Sequence, residues 1–198
     1  MADESPARIT RVKLKNYKSI VSCDVELRPL TILVGPNGSG KSNFLDALRF
    51  VSEALTVGLE QAIRNRGNVH HILSEARPQG ESAFSVTVHF CLASGREGNY
   101  SFTIEEKVDG GFAIRREALV FDDWLSGVSV FSVNDDRTLT VAYDVPSGHS
   151  SEGTSRHTPG SVPSWAPDRL MLVSYTGAPE ALFVYSLLTS MAFYSPVP

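Results

Sequence analysis

Two periods of apolar spacing run along this chain. Ile9-Thr10-Arg11-Val12-Lys13-Leu14 alternates apolar with polar positions and predicts a half-buried strand, and Leu30-Thr31-Ile32-Leu33-Val34 is a continuous apolar run of the kind buried on both faces of a sheet. Asn16-Tyr17-Lys18-Ser19 interrupts the pattern between them. A glycine-rich turn from Gly35 to Gly40 follows, and Phe44, Ala47, Leu48, Val51 and Leu55 then recur at helical spacing, predicting a helix from about Lys41 to Thr56. Residues 57 to 80 have weak periodicity and read as a short helix and an exposed loop. From Ser82 the period becomes two: Phe84, Val86, Val88, Phe90 and Leu92, then Tyr100, Phe102 and Ile104, then Leu139, Val141, Tyr143 and Val145. Less regular apolar segments at 112–121 and 128–133, and turns at 94–99, 109–111 and 134–137, complete an expected antiparallel meander with one polar face. A last apolar strand is expected at Leu170–Val173, and a helix from about Pro179 to Met191.

These periods divide the chain into 1–80, a strand-loop-helix unit with a basic loop; 81–145, an antiparallel sheet; 146–167, a loop; and 168–198, a strand and helix that end as if truncated. Residues 146–167 hold 6 Ser, 3 Gly, 4 Pro and 2 Thr, too little apolar surface to order themselves. With 198 residues, 42% hydrophobic and 20% charged, the chain can bury a core, which excludes disorder or fibre as the overall class. The net charge of −4 argues against a general nucleic-acid coat, but it is uneven: residues 1–80 carry 11 basic and 8 acidic side chains, the remainder 7 and 14. No apolar run approaches the roughly 18 residues of a membrane helix, and the acidic start Met1-Ala2-Asp3-Glu4 has no leader pattern, so a cytoplasmic protein without membrane partners is expected. Cys23 and Cys91 are too far apart for a metal knuckle and read as core or strand residues; His70, His71, His89, His149 and His157 lack partners at metal-ligand spacing.

Gly35-Pro36-Asn37-Gly38-Ser39-Gly40-Lys41-Ser42 fits the phosphate-loop pattern G-x-x-x-x-G-K-[ST] at every fixed position, between an apolar run and an amphipathic helix. Glycines allow backbone N–H groups to converge on a phosphate, and the helix start adds unpaired donors and a positive dipole end. Lys41 is the expected partner of the β- and γ-phosphates, and Ser42 offers a hydroxyl to Mg²⁺. Neither an Asn/Thr-Lys-x-Asp nor an Asp-x-x-Gly string occurs in the sequence, which favours ATP over GTP.

The stretch from Ile9 to Leu55, with ITRVKLKNYKSI and then LTILVGPNGSGKSNFLDALRF, resembles the N-terminus of the RecF/SMC-type ATPases of the ABC class, closest to the stand-alone AAA-family ATPases grouped with the OLD nucleases. The resemblance implies a P-loop α/β fold, the first lobe of an ABC-type head: a mixed sheet around the phosphate-loop helix with an attached antiparallel meander. It implies ATP and Mg²⁺ as cofactors, and a role in DNA repair or anti-phage defence with DNA as a candidate partner. It also suggests Lys18 and Ser19 as accessory phosphate or ribose contacts; an exposed strand end is the plain alternative.

ABC-type hydrolysis, by the same resemblance, needs a signature Ser-Gly motif and a strand ending in Asp-Glu, and a second head or a C-terminal half is the expected partner. Ala118-Leu119-Val120-Phe121-Asp122-Asp123 looks like that strand but lies among period-two strands and lacks the Glu; Leu125-Ser126-Gly127 looks like a signature with no helix after it. The family's Mg²⁺-contacting glutamine cannot be assigned to Gln61 or Gln79. Arg64, Arg66 and Arg77 read either as a solvated basic loop or as groups facing DNA or a partner's γ-phosphate, and Arg115-Arg116-Glu117 as an exposed, salt-paired face. The expected function is therefore the ATP-binding portion of an ATPase, with a non-catalytic nucleotide-binding module or truncated product as the alternative and a P-loop kinase behind both.

Overall fold

The computed structural model describes residues 6–122, 130–133, 139–142, 169–174 and 179–194. One seven-stranded sheet organises them, with strand order β2-β1-β3-β4-β5-β6-β7 and every pairing antiparallel. Its strands are β1 (Arg8–Tyr17), β2 (Ile20–Glu26), β3 (Ala83–Cys91), β4 (Glu97–Glu106), β5 (Phe112–Phe121), β6 (Val130–Val133) and β7 (Leu139–Ala142). The expected alternation is realised in full on β3, where Phe84, Val86, Val88 and Phe90 are buried and the residues between them are not.

The long helix α1 (Lys41–Thr56) lies on this inner face, with the bounds its apolar spacing predicts. Phe44, Ala47, Leu48, Val51 and Leu55 are buried as expected, and Phe50 and Ala54 join them. Phe50 meets Tyr17, Phe84 and Phe102 at ring-centroid distances of 6.1, 5.6 and 6.1 Å, an aromatic cluster that pins the helix to β1, β3 and β4. The weakly periodic region folds as α2 (Leu59–Arg64) and α3 (Val69–Ile72), and the chain later adds α4 (Met171–Ser174) and α5 (Pro179–Thr189), the latter beside α1. The expected helix at the end of the chain is therefore present, two residues shorter.

Three expectations are corrected. Leu30–Val34 forms no strand: Leu33 packs against the core, but Leu30, Ile32 and Val34 are 80, 73 and 85% exposed, because no described strand lies beside them to complete a ladder. Leu170–Val173 is not a strand either, since residues 171–174 make a helical turn. Its cause is the third correction: Glu117, expected on an exposed face, is fully buried. Glu117 shares the inner face with Leu119 and Phe121, and the register shift between Thr103 and Ile104 leaves Arg115 and Arg116 together on the outside, Arg115 beside Glu105. The Glu117 carboxylate accepts from Tyr100 Oη at 2.8 Å, Met171 N at 2.5 Å and Leu172 N at 2.9 Å, so it satisfies the leading donors of the turn. The expected loop at 146–167 lies outside the described residues, as does the turn at 134–137.

Burial pushes the Glu117 carboxyl up to about 7, and the three hydrogen bonds only partly offset it. With the folded value above the unfolded one, the associated stability is full below the ordinary carboxylate range and is lost as pH rises through about 7. We expect wild-type stability to carry a Glu117 contribution that falls by about 1 kcal/mol between pH 6 and pH 8. Glu117→Gln has one acceptor oxygen where Met171 N and Leu172 N each meet a different carboxylate oxygen, so it is less stable at every pH, but it cannot titrate and should remove that pH-dependent contribution. Denaturant unfolding of both proteins at the two pH values checks this; the same pH dependence in both would refute it.

Candidate nucleotide-binding site

The phosphate-loop residues Gly35 to Ser42 run from the irregular 27–34 segment directly into α1. Gly38 and Gly40 hold φ of +81° and +91°, a region that residues with a Cβ enter at a cost. At Gly40 a Cβ would also come within 3.2 Å of Ile20 Cγ1 and 3.4 Å of Ser19 Oγ, so the glycine lets the β1–β2 turn close on the loop. Gly40 stands at the N-cap with no side-chain hydrogen bond to the first turn, and that turn carries no acid. The backbone donors there and the positive helix end are thus offered outward. Lys41 Nζ donates to Gly35 O and Pro36 O at 2.7 Å each and to Ser39 Oγ at 3.2 Å, which curls the ammonium over the loop. Ser42 is exposed at the second helical position.

The structure brings Lys18 and Ser19 to this loop. They form the two-residue turn between Tyr17 and Ile20, which pair across the hairpin. Lys18 has φ +50°, and its N–H donates to Ile72 O at 2.6 Å; Ser19 Oγ accepts from Asn43 Nδ2, in the first turn of α1, at 2.7 Å. On the other side of the turn a cleft of about 670 Å³ is lined by Lys18, Ser19, His70, His71, Ser74 and Arg77, among others. The Ser74 hydroxyl is buried and has no hydrogen-bond partner.

A cluster that the sequence reading missed sits at the base of the turn. Asp46 accepts from Tyr17 Oη at 2.8 Å, pairs with Lys18 Nζ at 2.6 Å, and receives Arg66 Nε and Nη2 at 3.0 and 2.9 Å. Arg66 also reaches Glu53 at 2.6 Å and lies over the Phe50 ring, 5.1 Å from its centroid. Burial alone would raise the Asp46 pKa, but the bonds from Arg66, Lys18 and Tyr17 hold it below the usual carboxylate range. The available signal was the spacing Asp46, Phe50, Ala54, one stripe of α1 at i, i+4 and i+8.

The arginines separate accordingly. The Arg66 side chain is 5% exposed and committed to two carboxylates, so it does not face a partner. Arg77 donates to Glu81 O and Ser74 O, and Arg64 is exposed beside Glu60. Gln61 on α2 donates to Asn65 just past the end of that helix, and Gln79 is exposed. Asp122 lies at the wrong end of the sheet for a Mg²⁺ tether. Phe121 pairs with Gly98, Gly98 with Phe90, and Phe90 with Ile9 at the start of β1, whereas the phosphate loop borders the turn at the end of β1. Asp123 and Leu125-Ser126-Gly127 lie outside the described residues, as do His149 and His157. Among the described residues no group of three or more His, Cys, Asp or Glu could hold a metal, and no helix is long and apolar enough to cross a membrane.

The donor set fits a polyphosphate with Mg²⁺. Left-handed glycines, an uncapped helix start and an ammonium suit phosphate oxygens, and a single hydroxyl from Ser42 suits an ion that takes most of its oxygens from phosphate and water.

Comparison with known proteins places the similarity on the same residues. A family model described as AAA ATPase domain matches residues 8–105. Structural maintenance of chromosomes protein 1B of Mus musculus is 36% identical over 90 residues, 44% of this chain and 7% of that protein. DNA repair protein rad-50 of Caenorhabditis elegans is 26% identical over 185 residues, 90% of this chain and 12% of that one. A solved structure from work on ATP-driven dimerization and DNA-stimulated activation of SMC ATPases aligns at 22% identity and a TM-score of 0.42, covering 58% of this chain and 69% of that one. The chain thus spans about a tenth of the length of the two curated relatives.

Proposed function

We infer that this chain, RecF/SMC-like and of the ABC ATPase class in its N-terminal part, binds Mg-ATP through Gly35 to Ser42. The observation that carries the reading is the loop itself: left-handed Gly38 and Gly40, an uncapped α1 and Lys41 curled over them. Backbone amides of 38–42 hold the β-phosphate, Lys41 balances the charge of the β- and γ-phosphates, and Ser42 orients the ion. Bound Mg²⁺ would supply charge neutralisation between the phosphates. Lys18 and Ser19 serve as accessory contacts to the phosphate or ribose from the adjoining turn, and the cleft lined by His70, His71, Ser74 and Arg77 takes the nucleoside end.

Hydrolysis, in this reading, requires groups from a second head or a C-terminal half. The exposed Leu30, Ile32 and Val34 immediately before the loop support that need, because an apolar segment of this kind calls for a covering strand. The relatives named for DNA repair and for structural maintenance of chromosomes support work on DNA, with repair as one such role.

Calorimetric titration with a non-hydrolysable ATP analogue, with and without Mg²⁺, tests the binding. Saturable, Mg²⁺-strengthened binding is expected, and silence overturns the reading. The purified chain alone should show no phosphate release above an enzyme-free control. Sustained turnover that Asp122→Asn abolishes would prove the hydrolytic assignment wrong.

A further inference from the structure

The turn that borders the phosphate loop is built in a conformation its own residues do not favour. Lys18 and Asn16 are both non-glycine residues with positive φ, +50° and +55°. Asn16 is locked by its side-chain bonds to Glu81 and to Ala83 O. Lys18 is locked through Asp46, whose carboxylate gathers donors from three separate elements: Tyr17 on β1, Lys18 in the turn and Arg66 after α2.

Asp46 lies one helical turn past Ser42, so this carboxylate ties α1 just behind the phosphate loop to the turn beside it. Arg66 meets both oxygens of Asp46 and is almost inaccessible to solvent. Arg66 is shared between Asp46 and Glu53, so the Lys18 ammonium completes the charge balance of the cluster. Asp46 takes one of the three ammonium donors of Lys18, and the side chain lines the cleft with the rest.

We propose that Asp46 is a positioning residue for nucleotide binding: by holding the Lys18 ammonium to α1 it keeps the Lys18–Ser19 turn against the phosphate loop, and links occupancy of that loop to Arg66 and the segment that follows α2. The proposal rests on the ATP reading of the loop.

Its test exploits opposed signs. Asp46→Asn removes a negative charge close to a bound polyanion, so electrostatics by itself would tighten nucleotide binding. Loss of positioning weakens it. We expect Asp46→Asn to weaken binding of a Mg-ATP analogue about tenfold, Lys18→Met to do the same, and the double variant to bind no more weakly than either single one. A role of Asp46 in holding the fold would lower unfolding midpoints but leave the effect of Asp46→Asn intact in the Lys18→Met background. Binding by Asp46→Asn as tight as wild type or tighter, or additive losses in the double variant, overturns the proposal. If Asp46→Asn does not fold, Lys18→Met with unchanged affinity overturns it. Lys41→Ala in the same series separates the two readings: binding lost there but intact in Asp46→Asn leaves the ATP assignment standing without this one, and a silent wild-type titration removes both.

Discussion

Lys41→Ala should weaken Mg-ATP binding by about a hundredfold or more while leaving the fold in place. Lys41 opens α1, and its ammonium is held over the loop by Gly35 O, Pro36 O and Ser39 Oγ. A unit charge pair at about 4 Å is worth roughly 4 kcal/mol at an effective dielectric of 20. A bound phosphate must displace the loop acceptors and shed water, which brings the net toward about 3 kcal/mol, or two orders of magnitude in affinity. The side chain contributes nothing to the core beneath α1, so the unfolding free energy should stay within about 0.5 kcal/mol of wild type. Calorimetry with an ATP analogue, beside a denaturant melt, measures both quantities. Unchanged affinity in a folded Lys41→Ala protein would remove the loop from the account of binding.

Phe50→Ala should be the most destabilising of the substitutions considered, by about 3 to 5 kcal/mol. Phe50 is fully buried and touches rings from β1, β3 and β4, so its removal leaves a cavity walled by groups that cannot close in from several sides at once. For a chain of this size that corresponds to a fall of roughly 10 °C in the thermal midpoint. The loss reaches the site as well, because the Arg66 guanidinium rests on the Phe50 face and Arg66 holds Asp46. Nucleotide affinity should therefore drop in Phe50→Ala even under conditions where the protein stays folded, and less so in Phe50→Leu. A midpoint within 2 °C of wild type would contradict the packing described above.

Much of this was legible in the residues. The helix over 41–56 and the meander through β3 and β4 follow from apolar periods that match the backbone's own repeat, so the pattern carries its structure wherever the chain lies. The phosphate loop was legible because a close-packed anion cradle admits few residue types at fixed spacing, and the likeness to AAA ATPase domains falls on that stretch.

What the periods do not encode is which neighbour a segment meets. Leu30–Val34 reads as a buried strand, yet a strand exists only with a partner ladder, and none of the described strands supplies one. Glu117 reads as exposed because it is charged and follows Arg115-Arg116; the ladder puts it on the face of Leu119 and Phe121, where it anchors a helical turn more than fifty residues later in the chain. Asp46, Lys18 and Arg66 are unremarkable charges in sequence, separated by 28 and 20 positions, and Asp122 looks like a metal ligand until the register carries it to the far end of the sheet. The phosphate loop, its helix and the strand periods are written in the residues alone, because they are local and repeat with the backbone. Register, face and the meeting of distant charges were decided by tertiary structure alone, because their energies exist only between segments already brought together.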